Sequence, residues 1–341
     1  FSDLANIEGY PGEPLRYPND GTWKQNNRPT NDPHPNSREI RELADYLKKL
    51  VRQNQAVVNQ DWLHTYDQIP LQQREEIQAI PGVTLDHVVS RPDHLFMTSD
   101  QCLSCHAGQN PIYAPNYEAN MFIQTAQEGI DISPYTEWRW SMMGLAGRRP
   151  AFHAQMESEI ALLSKLDSPD INPKELQNLC LRCHGSMGQR QFTSDFPGEN
   201  FTVDQLLVSD RNSPHHVYGA LARDGVSCMV CHQIDDSTDI LQTETGKFGL
   251  RPRDEGGNFQ VGGPYQNAVE HPMIAALKAR PQREDIVSSA VLCASCHTVK
   301  LPVMNNAGKV IEEKYEQATF FEWAASAAGG TSAPFLFKSC Q

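Results

Sequence analysis

Apolar positions recur at helical spacing in a few stretches of this chain, separated by long segments with no period. Between about 37 and 58, Ile40, Leu43, Leu47, Leu50 and Val51 share one face while Lys48, Lys49 and Arg52 face away, and Asn36 with Glu39 makes a capping pair ahead of them. That pattern predicts a helix. A second is expected at about 71–79 and a third over Phe152–Leu166. A fourth starts at Asn172-Pro173-Lys174-Glu175 and runs into Cys180, with Asn as N-cap and Pro in the first turn. Residues 1–35, rich in Pro, Asn and Gly, read as an irregular arm wrapping a surface. The stretch 234–268, with Gly246, Gly249, Gly256, Gly257, Gly262, Gly263 and several Thr, reads as loop with room for one hairpin. The fold class that follows is mainly α with extensive irregular loops.

Composition narrows the class. A length of 341 residues suggests about two domains. No run of about 18 apolar residues exists, so no transmembrane segment is expected, and 39% hydrophobic residues supply a core. The 29 Lys and Arg set against 42 Asp and Glu give a net charge of −13. The basic residues are scattered, which argues against a nucleic-acid or anionic-lipid partner, since both need a positive footprint. The start at Phe1, without an initiator Met, is read as a processed or trimmed end.

The cysteines carry the chemistry. Eight of the nine fall into four Cys-x-x-Cys-His pentads: Cys102, Cys105 and His106; Cys180, Cys183 and His184; Cys228, Cys231 and His232; Cys293, Cys296 and His297. Chance would place roughly 0.01 such pentads in a chain of this composition. Two thiols three positions apart can each form a thioether to one vinyl group of a haem, and the adjacent His then reaches the iron as proximal ligand. Zinc ribbons, structural disulfides and a thioredoxin-like pair are the other uses of Cys-x-x-Cys. Zinc ribbons set their two pairs about 15–20 residues apart. Here 74, 44 and 61 residues separate the successive Cys pairs, and no zinc site requires a His after every pair.

The pentads and their surroundings resemble the multihaem c-type cytochromes. The segment Ser133-Pro-Tyr-Thr-Glu-Trp138-Arg-Trp-Ser141-Met-Met143-Gly-Leu-Ala, then Asp224-Gly-Val-Ser-Cys228, then Tyr315-Glu-Gln-Ala-Thr-Phe-Phe-Glu-Trp323, is similar to a grouping of bacterial multihaem cytochromes, over about residues 95–341. The resemblance implies a multihaem cytochrome c architecture in which haems form much of the core. It also implies haem assembly outside the cytoplasmic membrane, hence a periplasmic or extracellular (cell-surface) protein that handles electrons. Residues 1–95 are then a haem-free arm and helical region, and 96–341 the multihaem domain. The haem-free chain is expected to be largely unfolded in its C-terminal two-thirds.

Cys340, in Phe337-Lys-Ser-Cys340-Gln341, lies where the resembling proteins continue into another pentad. The resemblance therefore implies four haem c (heme c) groups on this chain and at least five in a protein that continues past Gln341. A lone buried thiol is the other reading.

Each iron needs a sixth ligand or an open face, a choice that separates carrier from enzyme. Eight His remain: His34, His64, His87, His94, His153, His215, His216 and His271. Those among the pentads rank first as distal ligands: His216 and His271, then His153 and His215, then His94 and His87. His34, in the arm, could reach a neighbouring subunit. Many multihaem cytochromes carry Trp-x-x-Ser-x-His with that His as a distal ligand. Here Met143 stands in its place after Trp138 and Ser141. Met143 (or Met142) is either an axial thioether, which raises the potential, or a filler between helix and porphyrin.

Two functions follow. One is electron transport by hopping between haems, as a carrier or a subunit of a redox assembly, with redox partner proteins and self-association as the expected partners. The other is an oxidoreductase with one open haem acting on a small nitrogen or sulfur compound such as nitrite, hydroxylamine or tetrathionate. Arg148-Arg149 or His215-His216 would then flank the open haem. Generic catalytic motifs are missing from the sequence. Electron transfer is the favoured reading, with residues 1–95 as a docking or assembly surface.

Overall fold

A computed structural model of the chain describes residues 86–106, 122–124, 129–131, 133–139, 141–235 and 240–326. The arm at 1–35, the helices expected at 37–58 and 71–79, His34, His64 and Cys340 lie outside the described residues.

In chain order the helices are α1 (Leu103–His106), α2 (Pro134–Arg139), α3 (Pro150–Leu166), α4 (Pro173–His184), α5 (Ser186–Asp195), α6 (Val203–Leu206), α7 (His216–Arg223), α8 (Cys228–Gln233), α9 (Ile240–Thr243), α10 (Glu270–Leu277), α11 (Val291–Ala294) and α12 (Thr319–Ala325). The strands are β1 (Phe122–Gln124), β2 (Gly129–Asp131), β3 (Phe259–Gly263), β4 (Ala279–Arg283), β5 (Val299–Met304) and β6 (Val310–Gln317).

Local signals set the two expected helices that lie among the described residues. Helix α3 opens with Pro150 in its first turn, where the missing N–H costs nothing, and ends as Asp167 turns left-handed at φ 46°. Asn172 caps α4: its Oδ1 accepts from the backbone of Lys174 at 2.9 Å and of Glu175 at 3.0 Å, while Glu175 accepts from the Asn172 N–H at 3.0 Å. Such a box is worth about 1 kcal/mol. It fixes where α4 starts, and so puts Cys180, Cys183 and His184 in its last two turns.

Helices α5 and α7 cross at Gly188, where a methyl group would stand 2.2 Å from the Tyr218 carbonyl oxygen. Only glycine permits that approach. One apolar cluster gathers Phe152, Met156, Leu181, Phe192, Phe201, Leu206 and Ala222 around α4. A second gathers Val88, Phe96, Met97, Leu221, Met229, Val230, Phe248 and Phe259 around α8. Residues inside or beside the Cys pairs, Leu181, Met229 and Val230, sit in these clusters, so packing orients the pentads directly.

Among the described residues of 234–268, read as loop with room for one hairpin, no hairpin forms. That stretch holds the short helix α9, an antiparallel bridge between Ile234 and Leu250, and β3, which pairs in parallel with β4 from Phe259 opposite Ala279 to Gly263 opposite Arg283. A parallel pair needs a crossover, supplied by α10, and its partner strand lies outside the stretch, where local pattern does not reach. Antiparallel pairs form elsewhere, between β1 and β2 and, downstream, between β5 and β6. Asn305 Oδ1 closes the β5–β6 turn by accepting from Ala307 at 2.9 Å and Lys309 at 3.1 Å. Among the described residues no helix is long and apolar enough to cross a membrane.

Candidate functional site

Each pentad is wound as a helical turn, which sets its two thiols on one face with the His beside the second. The first runs from Cys102, closing the 3-10 turn Ser99–Gln101, through α1. The second ends α4, the third begins α8, and the fourth starts in α11 and finishes just past it. In the first, His106 N–H donates to Cys102 O at 2.9 Å; in the fourth, His297 N–H donates to Cys293 O at 3.0 Å, the same bond.

Tertiary structure brings the pentads together through their sulfurs. The Cys102 and Cys228 thiols are in hydrogen-bond contact, as are those of Cys183 and Cys296. Cys231 and Cys293 interact electrostatically. Burial pushes the Cys180 thiol up to about 11 and the Cys231 thiol up to about 12, so both are protonated at neutral pH. Thiol contact, then burial, raises Cys228 and Cys296 as well. Among the described residues no group of three or more His, Cys, Asp or Glu side chains is arranged to hold a metal ion by itself.

The four pentad histidines differ in setting. His232 Nδ1 donates to the Gly262 carbonyl, which leaves Nε2 with its lone pair. The His184 ring stacks on Phe152 with centroids 3.9 Å apart, and burial lowers its pKa to about 4. His106 is lowered by burial and then by neighbouring His232.

The distal candidates are scattered. His153 is fully buried beside Phe152, its Nε2 donating to Gly147 O at 3.0 Å, and burial lowers it to about 4. It stands near His184 of the second pentad. His94 is buried and donates from Nδ1 to Val89 O at 3.0 Å. The carbonyl of the next residue, Leu95, accepts from Gln233 at the end of α8 at 3.1 Å, which puts His94 near the third pentad. His215 lies among Phe192, Phe196 and Tyr218, with its Nδ1 buried and without a partner. His216 opens α7 and is buried, whereas His271, on α10, is exposed. His87 pairs with Asp100, and that hydrogen bond raises its pKa. Met143 is half-buried and Met142 is 49% exposed.

Two segments singled out in the sequence meet. Trp138 Nε1 donates to Val226 O at 2.7 Å, and Val226 N–H donates to Met143 O at 3.0 Å. Asp224 accepts from the Ser99 N–H at 2.8 Å and the Ser99 hydroxyl at 2.7 Å, tying the approach to the first pentad onto the approach to the third. Burial pushes Asp224 up to about 6. One residue earlier, Arg223 is fully buried against fully buried Asp86, through Nε at 2.9 Å and Nη2 at 2.6 Å, and donates from Nη1 to Leu206 O and, at 3.0 Å, to Val208 O. This second strap was not visible in sequence, because Asp86 and Arg223 belong to no motif and have no periodic relation. Arg148 is buried, donating from Nη2 to Gly144 O at 3.2 Å, and burial lowers its pKa.

No family model, curated protein or solved structure matches the chain.

Proposed function

We propose that this chain is a multihaem c-type cytochrome that carries electrons between covalently held haems, as a periplasmic or extracellular carrier or as a subunit of a larger redox assembly. The observation that carries the reading is the presence of four Cys-x-x-Cys-His pentads in one chain, each wound as a helical turn. Haem held there supplies one-electron iron chemistry. The chain's part is to offer two thiols per site for thioether bonds, and His106, His184, His232 and His297 as proximal imidazoles.

Several local features suit that role. The Gly262 carbonyl fixes the His232 tautomer and leaves Nε2 for iron, and Val89 does the same for His94 as a distal ligand. Burial holds His153 and His184 neutral, as ligation requires. Arg190, beside Cys183 and Cys296, has a buried Nε without an acceptor, which suits a haem propionate. With a net charge of −13, docking to a redox partner would favour cationic patches and weaken with salt.

The test combines intact mass with electron paramagnetic resonance and optical spectra of the oxidised protein, with and without nitrite or hydroxylamine. A mass carrying one haem per pentad and only low-spin signals, unchanged by the ligands, is the expected result. A high-spin component shifted by a ligand would replace the carrier with the open-haem oxidoreductase. A mass without haem would overturn the reading altogether.

A further inference from the structure

The geometry points to a spatial order for the four attachment sites that is not their order in sequence: first, third, fourth, second. This rests on the reading of the pentads as haem sites. Three junctions define the row.

The first and third pentads meet through Cys102 and Cys228, whose sulfurs are in contact. Ser99 and Asp224 lock the junction with hydrogen bonds of 2.8 and 2.7 Å from segments 125 residues apart. His106 and His232 are neighbours across it.

The third and fourth pentads pack into one apolar cluster, with Cys231 and Cys293 near enough to interact electrostatically. Met229 and Val230, between the cysteines of the third, lie in the same apolar cluster as Leu292 and Cys296.

The fourth and second pentads meet through Cys296 and Cys183. A two-residue clip, Thr245-Gly246, spans this junction. On one side Thr245 N–H donates to Thr298 O at 2.8 Å and Gly246 N–H to Ser295 O at 2.7 Å. On the other side Arg182 donates to Thr245 O at 3.3 Å and Arg190 to Gly246 O at 3.0 Å. Gly246 has φ +70°, and a methyl group on it would stand 2.9 Å from Cys183 Sγ. His184 and His297 are neighbours here too.

A haem attached at each pentad would be held by these cysteines, so the junctions between pentads would set which haems lie side by side. The row has the first and second sites at its ends, although they are adjacent in sequence.

Anomalous diffraction at the iron edge, on crystals of the haem-loaded native protein, locates the irons without any variant. The expected result is one iron beside each pentad, with the shortest separations joining first to third, third to fourth and fourth to second, and the longest joining first to second. Irons at all four pentads with the second nearer to the first or third than to the fourth would overturn the order alone. Pentads without iron would remove the haem reading and the order with it.

Discussion

Asp86→Ala isolates the energetic value of the strap that holds residues 86–99 onto the approach to the third pentad. Asp86 and Arg223 are both fully buried and bonded at 2.6 and 2.9 Å. Removing the carboxylate leaves the guanidinium charge in the interior with only carbonyl partners, which costs about 3–5 kcal/mol. At about 2–4 °C per kcal/mol for a domain of this size, the thermal midpoint should fall by about 6–20 °C. Asp285→Ala is the control. Arg283 and Asp285 are bonded at 2.9 Å, but their side chains are 44% and 59% exposed, and an exposed pair is worth about 0–1 kcal/mol. Circular dichroism melts of the haem-loaded wild type and both variants, in one buffer, give the comparison. The burial argument fails if Asp86→Ala shifts the midpoint no more than Asp285→Ala does.

Asp224 gives a pH signature. Burial raises it from 3.8 to about 6, so its contribution to stability is full below 3.8 and is lost as pH rises through 6, by roughly 3 kcal/mol in all. Asp224→Asn removes that loss, so urea midpoints should show the variant gaining on wild type between pH 4 and pH 7; a constant gap refutes the assignment. Gly246→Ala forces a side chain into a left-handed backbone and against Cys183, costing about 1 kcal/mol or more, and intact mass should show fewer fully loaded molecules. Met143→His should lower one reduction potential if the Met143 thioether is an axial ligand, and potentiometry showing every potential unchanged removes that role.

The pentads and part of the local structure were legible from sequence because their determinants lie within a few residues of one another. The thiol pairs and their histidines need only the geometry of one helical turn; α4 begins where the Asn172–Glu175 box says it should, and α3, expected from Phe152, begins two residues earlier at Pro150 and ends at Leu166 as expected. Everything that relates one pentad to another came from tertiary structure. The Ser99–Asp224 and Asp86–Arg223 bonds join segments 125 and 137 residues apart, and each end needs one polar residue that leaves no period behind. Strand β3 chose a parallel partner beyond a helix, and Thr245-Gly246 became the clip between the second and fourth pentads through backbone groups that every residue carries. Sequence spacing announces each Cys-x-x-Cys-His turn, whereas the order of those turns in space depends on long-range packing and backbone hydrogen bonds, which no local pattern encodes.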